Sequence, residues 1–489
     1  MQEKFLAFDL GASSGRAVLG TLENDKLVLE EIHRFTNGPI AIHGTLYWDV
    51  LKLFDEMQQA MSLYSHNHGR ELSGIGVDTW GVDFGLLSRD DALLSNPVHY
   101  RDKRTDGMME EVFKIVPREE VYNQTGIQFM QLNTLFQLFS MVLNKSPLLE
   151  VADTLLMMPD LFNYFLTGVK SAEFTEATTS QCYNPRSGTW ATLLLEKIGI
   201  PAKIMPEIVP PGTILGKLSP HIAEEVGLGK VNVVAPACHD TGSAVAAVPA
   251  EGDESWAYLS SGTWSLIGIE IKEPIINEQS LQFNFTNEGG VGGTYRFLRN
   301  VAGLWLVQEC RRIWERSGQS LSYQQLVNLA AEAKPFIAFV DPDHNSFLNP
   351  TDMPAAIVEF FEKTGQSKPE TKGEIIRCAL ESLALKYRAV LEMISQIRGP
   401  IKKLHIVGGG TQNTLLCQFT ANATNVPVIA GPIEATAIGN IMVQATALGC
   451  LPSIAEGRKM IRQSFDLVEY QPQEQDAWDE AYQRFVKIC

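Results

Sequence analysis

The chain has 489 residues, 45% of them hydrophobic, with a mean hydropathy of -0.03; that is ordinary globular material, long enough for two or three domains. Its formal net charge of -17 disfavours polyanionic partners, so nucleic acid is not expected and any phosphate site must rest on local basic exceptions. No apolar stretch is long enough to span a bilayer, Met1-Gln2-Glu3-Lys4 runs straight into a strand-like segment without a leader, and the seven cysteines form no C-x-x-C pair. Membrane insertion, a disulfide framework and a zinc site are therefore not expected, and a cytoplasmic location is.

Taken in order, residues 5–9 are an apolar run that predicts a buried strand. A Gly/Ser turn follows, then strands over 17–22 and 27–33 with Asn24-Asp25-Lys26 between them. A helical stretch covers about 48–64, and 75–78 is a strand ending at Thr79-Trp80-Gly81. The apolar run 231–237 leads into His239-Asp240-Thr241. Residues 256–259 and 264–272 predict two strands around Ser260-Ser261-Gly262-Thr263. Over 373–397, Ile376, Ala379, Leu380, Leu383, Ala384 and Tyr387 repeat at helix spacing. A strand at 404–407 precedes Gly408-Gly409-Gly410 and a helix over 413–424; a small-residue helix over 435–448 and an amphipathic one over 471–489 complete the chain. Alternating strands and helices define an α/β class. The segments 10–15 and 259–263 are weakly alike, which predicts a duplicated unit with a crossover at 248–255.

Three strand-end turns carry candidate chemistry. Asp9 can hold Mg²⁺ directly or through water, and Gly11, Ser13, Ser14 and Gly15 can aim backbone N–H groups and hydroxyls at phosphate, with Arg16 adding charge. The same residues also make a plain hairpin turn. Asp240 can take a proton from an attacking hydroxyl during phosphoryl transfer; alternatively Asp240 or Thr241 simply caps a helix. Val407-Gly408-Gly409-Gly410 lets a backbone approach a nucleotide closely. It is not a Rossmann fingerprint, since Asn413 stands where the third glycine would be. No Walker A motif and no protein-kinase H-R-D or D-F-G set is present. The clusters Asp78 to Asp83 and Tyr100-Arg101-Asp102-Lys103-Arg104 suit a polyol, with surface ion pairing as the alternative, favoured for Lys103 and Arg104.

Taken together, Asp9 to Arg16, Ile75 to Phe84, His239-Asp240-Thr241, Tyr258 to Ser265 and Leu404 to Gly410 resemble the family of carbohydrate kinases that includes glycerol kinase and xylulokinase. The resemblance covers roughly residues 5–470. Further stretches (34–38, 100–102, 126–129, 286–290, 304–306 and 430–432) resemble the members acting on L-rhamnulose. The resemblance implies two ribonuclease-H-like domains around a cleft, as in actin, Hsp70 and the sugar kinases. These would be residues 1–248 for sugar and phosphate and 255–489 for ATP. It implies ATP- and Mg²⁺-dependent phosphorylation of the ketose 1-hydroxyl, with Asp240 as catalytic base. Gly81, His239, Asp240, Thr241 and Asn300 would contact the sugar. Ala12, Ser13, Ser14, Gly15, Arg16, Thr263, Gln308 and Gly409 would contact ATP, and Asp9 would organise Mg²⁺. The partners would be a small ketose and ATP, in a monomer or small homo-oligomer. The alternatives are another ketose kinase of the family, for L-fuculose or D-xylulose, or a non-enzymatic nucleotide-gated binding protein. The latter would have no reason to keep Asp240 beside a sugar-facing cluster.

Overall fold

The computed structural model describes residues 2–251, 255–348 and 350–489. They form two compact units, and the units interleave along the chain. The first comprises Met1–Ala247, Glu270–Phe297 and Ala435–Ser464; the second comprises Val248–Ile269, Leu298–Glu434 and Phe465–Cys489. The boundary expected near 248 is thus one of several crossings, and of the crossover segment, 252–254 lie outside the described residues. No helix among the described residues is long and apolar enough to cross a membrane.

In the first unit, β1 (Glu3–Leu10), β2 (Ser14–Glu23) and β3 (Lys26–Thr36) form an antiparallel meander. The β2–β3 turn is two residues long because Asn24 and Asp25 both adopt positive φ, 49° and 62°. That is the geometry whose twist matches a tight hairpin and which Asn and Asp tolerate best. Helix α1 (Val50–His68) is capped by Asp49 and buries Val50, Leu53, Met57, Ala60, Met61 and Tyr64 along one face. Strand β4 (Gly74–Thr79) pairs in parallel with β1, and both are buried throughout their central residues, as expected of strands covered on two faces. Helix α2 (Phe174–Thr179), strands β5 (Thr213–Lys217) and β6 (Asn232–Ala235), and helix α3 (Asp240–Ala246) complete this part. The sheet order is β5-β6-β4-β1-β2-β3.

The helix Ala435–Ala447 belongs to the same unit and lies close on the sheet. Three strand glycines make room for it. A Cβ on Gly20 would sit 2.5 Å from Ile441, one on Gly74 2.8 Å from Gln444, and one on Gly76 2.4 Å from Asn440. Its own Gly439 approaches α3 so closely that a Cβ there would lie 1.8 Å from the Ser243 carbonyl oxygen.

The second unit repeats the pairing logic. Strand β7 (Trp256–Ser261) pairs antiparallel with β8 (Trp264–Ile271). Helix α4 (Trp305–Arg316) follows, then the long α5 (Lys372–Arg398), opened by a Thr371/Glu374 capping box and ended at Gly399. Strand β9 (Lys403–Val407) pairs in parallel with β7, as β4 does with β1. After α6 (Thr414–Thr424), β10 (Val428–Ala430) lies parallel to β9 and β11 (Val468–Tyr470) antiparallel to β10. The same sequence of parallel and antiparallel neighbours relates β4, β6 and β5. This is the topological form of the duplication.

Candidate functional site

In the first unit the carboxyl ends of β1 and β4 and the segment before α3 lie side by side. Asp9 is the register partner of Asp78, Thr79 N–H donates to the Cys238 carbonyl (2.9 Å), and Thr79 bridges in parallel to His239. Three carboxyl groups, Asp9, Asp78 and Asp240, are thereby gathered at the carboxyl end of the central strands.

Each is held differently. Asp9 Oδ2 accepts from Arg16 Nε (2.9 Å) and Nη2 (2.7 Å), its opposite residue on β2. The Gly/Ser turn between them is closed by Gly11 N–H to the Ser14 carbonyl (2.9 Å) and by Asn37 Nδ2 to the Gly11 carbonyl (2.8 Å). Gly15 has no room for a side chain, because its Cβ would lie 2.3 Å from the Phe35 ring. Asp78 is fully buried and Oδ2 accepts from Asn440 Nδ2 at 2.6 Å. Burial, reinforced by Asp9, pushes its carboxyl well above the usual range. Burial also raises Asp240, with His239 pulling the other way.

The helix-cap alternative for Asp240 and Thr241 is not realised: His239 is the N-cap residue and its side chain makes no cap bond. Instead Asp240 Oδ1 accepts from both the backbone N–H and the hydroxyl of Thr241, the latter at 3.0 Å. His239 Nε2 faces the same oxygen at 3.4 Å. No hydrogen bond to Asp240 Oδ2 is formed among the described residues, so the two oxygens are unlike: one tied into the turn, one available.

A layer beneath fixes this turn, and sequence reasoning did not find it. Glu173 caps α2 and its Oε2 also accepts from Cys238 N–H (3.0 Å), while Thr175 Oγ1 accepts from His239 N–H (3.1 Å). Burial lifts Glu173 to about 7. Glu176 is wholly buried, and burial with Asp160 and Glu173 nearby holds it well above its ordinary value. Thr179, at the far end of α2, packs 3.1 Å from where a Cβ on Gly81 would lie, and its hydroxyl accepts from Val82 N–H at 3.1 Å. Val82 itself has φ 70°, an unfavourable conformation for a β-branched residue, and its carbonyl is gripped by Thr134 Oγ1 (2.6 Å) and Gln137 Nε2 (3.2 Å). Backbone strain of this kind collects at ligand-binding positions.

The polar and aromatic cluster is internal rather than a surface. Asp83 is fully buried and accepts from Trp48 Nε1 (2.6 Å), Trp80 Nε1 (3.1 Å), Tyr100 N–H (3.2 Å) and Gln137 Nε2 (2.9 Å). The surface-pair expectation for Arg104 is corrected: its guanidinium is drawn inward and donates to Gln137 Oε1 at 2.6 Å. Lys103 is exposed.

The remaining predicted residues belong to the second unit. Thr263 Oγ1 donates to Gln308 Oε1 at 3.0 Å, so these two are brought together. The three-glycine turn lies against the end of β7: Gly408 has φ 88° beside the Ser261 carbonyl, and a Cβ on Gly410 would be 2.0 Å from Ser261 Oγ. Around Gly409, by contrast, a Cβ would meet nothing within 4 Å. Gly410→Ala is expected to destabilise this unit by about 1–3 kcal/mol through overpacking, measured by denaturant unfolding. Asn300 lies part-buried on the strand Tyr295–Ala302.

A strand-end carboxylate trio in one unit and a glycine turn with a Thr–Gln pair in the other, each on a duplicated β-meander sheet, define a phosphotransferase of the sugar-kinase class. The chain belongs to the FGGY family of carbohydrate kinases, matching its N-terminal domain over residues 4–247 and its C-terminal domain over 257–448. It is 46% identical to a rhamnulokinase of Bacteroides thetaiotaomicron over the whole of both chains. It is 41% identical to that of Oceanobacillus iheyensis over 96% of this chain and 98% of the relative. Among solved structures, the gluconate kinase of Lactobacillus acidophilus superposes with a TM-score of 0.82 at 17% identity, covering 100% of this chain and 98% of that one. The ligand-bound xylulose kinase of the same species gives 0.80 at 16% identity, covering 99% and 97%. These establish the two-domain sugar-kinase fold.

Proposed function

We propose that this enzyme transfers the γ-phosphoryl group of ATP to the 1-hydroxyl of L-rhamnulose, giving L-rhamnulose 1-phosphate and ADP. The observation that carries the substrate is the 46% identity, end to end, with a protein named rhamnulokinase. In this reading Asp240 Oδ2 accepts the proton of the attacking hydroxyl, the hydroxyl oxygen forms the new P–O bond, and ADP leaves. Oδ1, held by Thr241, keeps the carboxylate from turning. Gly81, His239, Thr241 and Asn300 orient the sugar; Ala12 to Arg16, Thr263, Gln308 and Gly409 take ATP. The hard oxygen of Asp9 left open by Arg16 suits Mg²⁺ held through water. Mg²⁺ would supply charge neutralisation at the phosphates. A cytoplasmic location and a monomer or small homo-oligomer belong to the same reading.

A coupled ADP-release assay with Mg²⁺-ATP and L-rhamnulose, L-fuculose, D-xylulose, glycerol or no sugar tests it. Preference for L-rhamnulose is expected; preference for another ketose would replace the substrate, and no sugar stimulation would overturn the enzyme reading.

Two predictions accompany it. Because the base must be ionised and burial raises Asp240, kcat should fall on acidification with a midpoint above the ordinary aspartate value of about 3.9. A pH–rate profile flat down to that value would contradict the assignment. Gly409→Ala should leave the fold intact, since its surroundings are open, yet raise the KM for ATP by blocking close backbone approach.

A further inference from the structure

His239 lies between two charged groups besides Asp240. On the Nδ1 side of its ring are Arg296 Nη2 at 3.0 Å and Glu288 Oε2 at 3.3 Å. On the Nε2 side is Asp240 Oδ1 at 3.4 Å. Arg296 is wholly buried and is itself fixed, with Nε donating to the Gly289 carbonyl at 2.7 Å and Nη2 lying 3.2 Å from Glu288 Oε2. Glu288 is buried with it.

A guanidinium has five donors and no acceptor, and it does not lose its proton in a protein. For its 3.0 Å contact with Nδ1 to be a hydrogen bond, Nδ1 must be the acceptor. The ring then carries its single proton on Nε2, facing the carboxylate of Asp240. Were Nδ1 protonated, its proton would be aimed at Glu288 and would oppose the guanidinium N–H. Glu288 thus supplies the countercharge that makes a buried Arg296 tolerable, and the arginine decides the tautomer.

We propose that Arg296 is a positioning residue for phosphoryl transfer, which fixes His239 as the neutral Nε2–H tautomer and so presents an N–H to Asp240 Oδ1, leaving Oδ2 for the substrate hydroxyl. This rests on the reading of Asp240 as base. Besides His239, the groups facing that carboxylate are Asp9, Asp78 and, from α2, Glu176. All three are acidic; Arg296, paired with Glu288, stands on the opposite side of the ring from them.

The test is ¹⁵N NMR of the full-length enzyme labelled at histidine, with the His239 pair identified by its loss in His239→Gln. At neutral pH the wild type should show Nε2 protonated and Nδ1 unprotonated. Arg296→Met should move the proton to Nδ1, lower kcat about tenfold or more, and displace the acid limb of the pH–rate profile. Arg296→Lys, which keeps a donor, should restore the tautomer and most of the rate. A wild-type His239 that is cationic or protonated on Nδ1 overturns the proposal, and so does an unaltered tautomer and pH profile in Arg296→Met. Should Arg296→Met fail to fold, the wild-type spectrum and Arg296→Lys still decide. An Nε2–H wild type alongside a fully active Asp240→Asn would remove the base assignment instead, so the two failures are distinguishable.

Discussion

Replacing Asp240 with asparagine is expected to lower kcat on the order of 10²-fold or more, with little change in the KM for ATP. Asparagine keeps the shape of the side chain and an oxygen that can accept from Thr241, so the start of α3 should be preserved. What it loses is the basic oxygen. Steady-state kinetics with L-rhamnulose, alongside circular dichroism to show that the fold is kept, measures the effect. A near-normal turnover would remove Asp240 from the proton transfer.

Gly439→Ala is expected to cost about 3 kcal/mol of stability, the upper part of the usual overpacking range. The added carbon would meet the Ser243 carbonyl oxygen at 1.8 Å and its carbon at 2.5 Å, and both are backbone, which no rotamer change can relieve. The helix Ala435–Ala447 would have to withdraw from α3. It would then loosen Asn440 from Asp78, which it holds at 2.6 Å. Denaturant unfolding measures the loss, and a change within about 0.5 kcal/mol, typical of a surface site, would contradict the packing argument.

Much of the local structure was legible because local chemistry decides it. The run 5–9 could only be a buried strand, Asn24-Asp25 could form the tight turn unaided, and the spacing from Ile376 to Tyr387 dictated a helix. The sequence also marked the strand-end residues Asp9, Asp240 and Gly409, since a glycine or a carboxylate after an apolar run is a local signal. It did not mark Glu173 or Arg296, and it marked Glu288 only as part of the stretch 286–290, with no role. A lone charged residue looks like solvated surface, and only the fold reveals that Arg296 is buried against His239. Arg104 failed in the same way, because Gln137, its partner, lies 33 positions away. The small residues of 435–448 marked a helix but not its close packing, because the strand glycines that receive it, Gly20, Gly74 and Gly76, lie hundreds of residues earlier.

That distance has a cost during biosynthesis. The groove over Gly20, Gly74 and Gly76 emerges from the ribosome early, but the helix that fills it begins at Ala435, after nearly the whole of the second unit. At about 5–20 residues per second, the interval between Ala247 and Ala435 is on the order of 10–40 s. For that time the nascent first unit has Asp78 without the amide of Asn440 and an apolar sheet face without its cover. A ribosome-held chain ending at Ala247 should therefore be protease-sensitive, and the first unit should become resistant only when synthesis has passed Ser464.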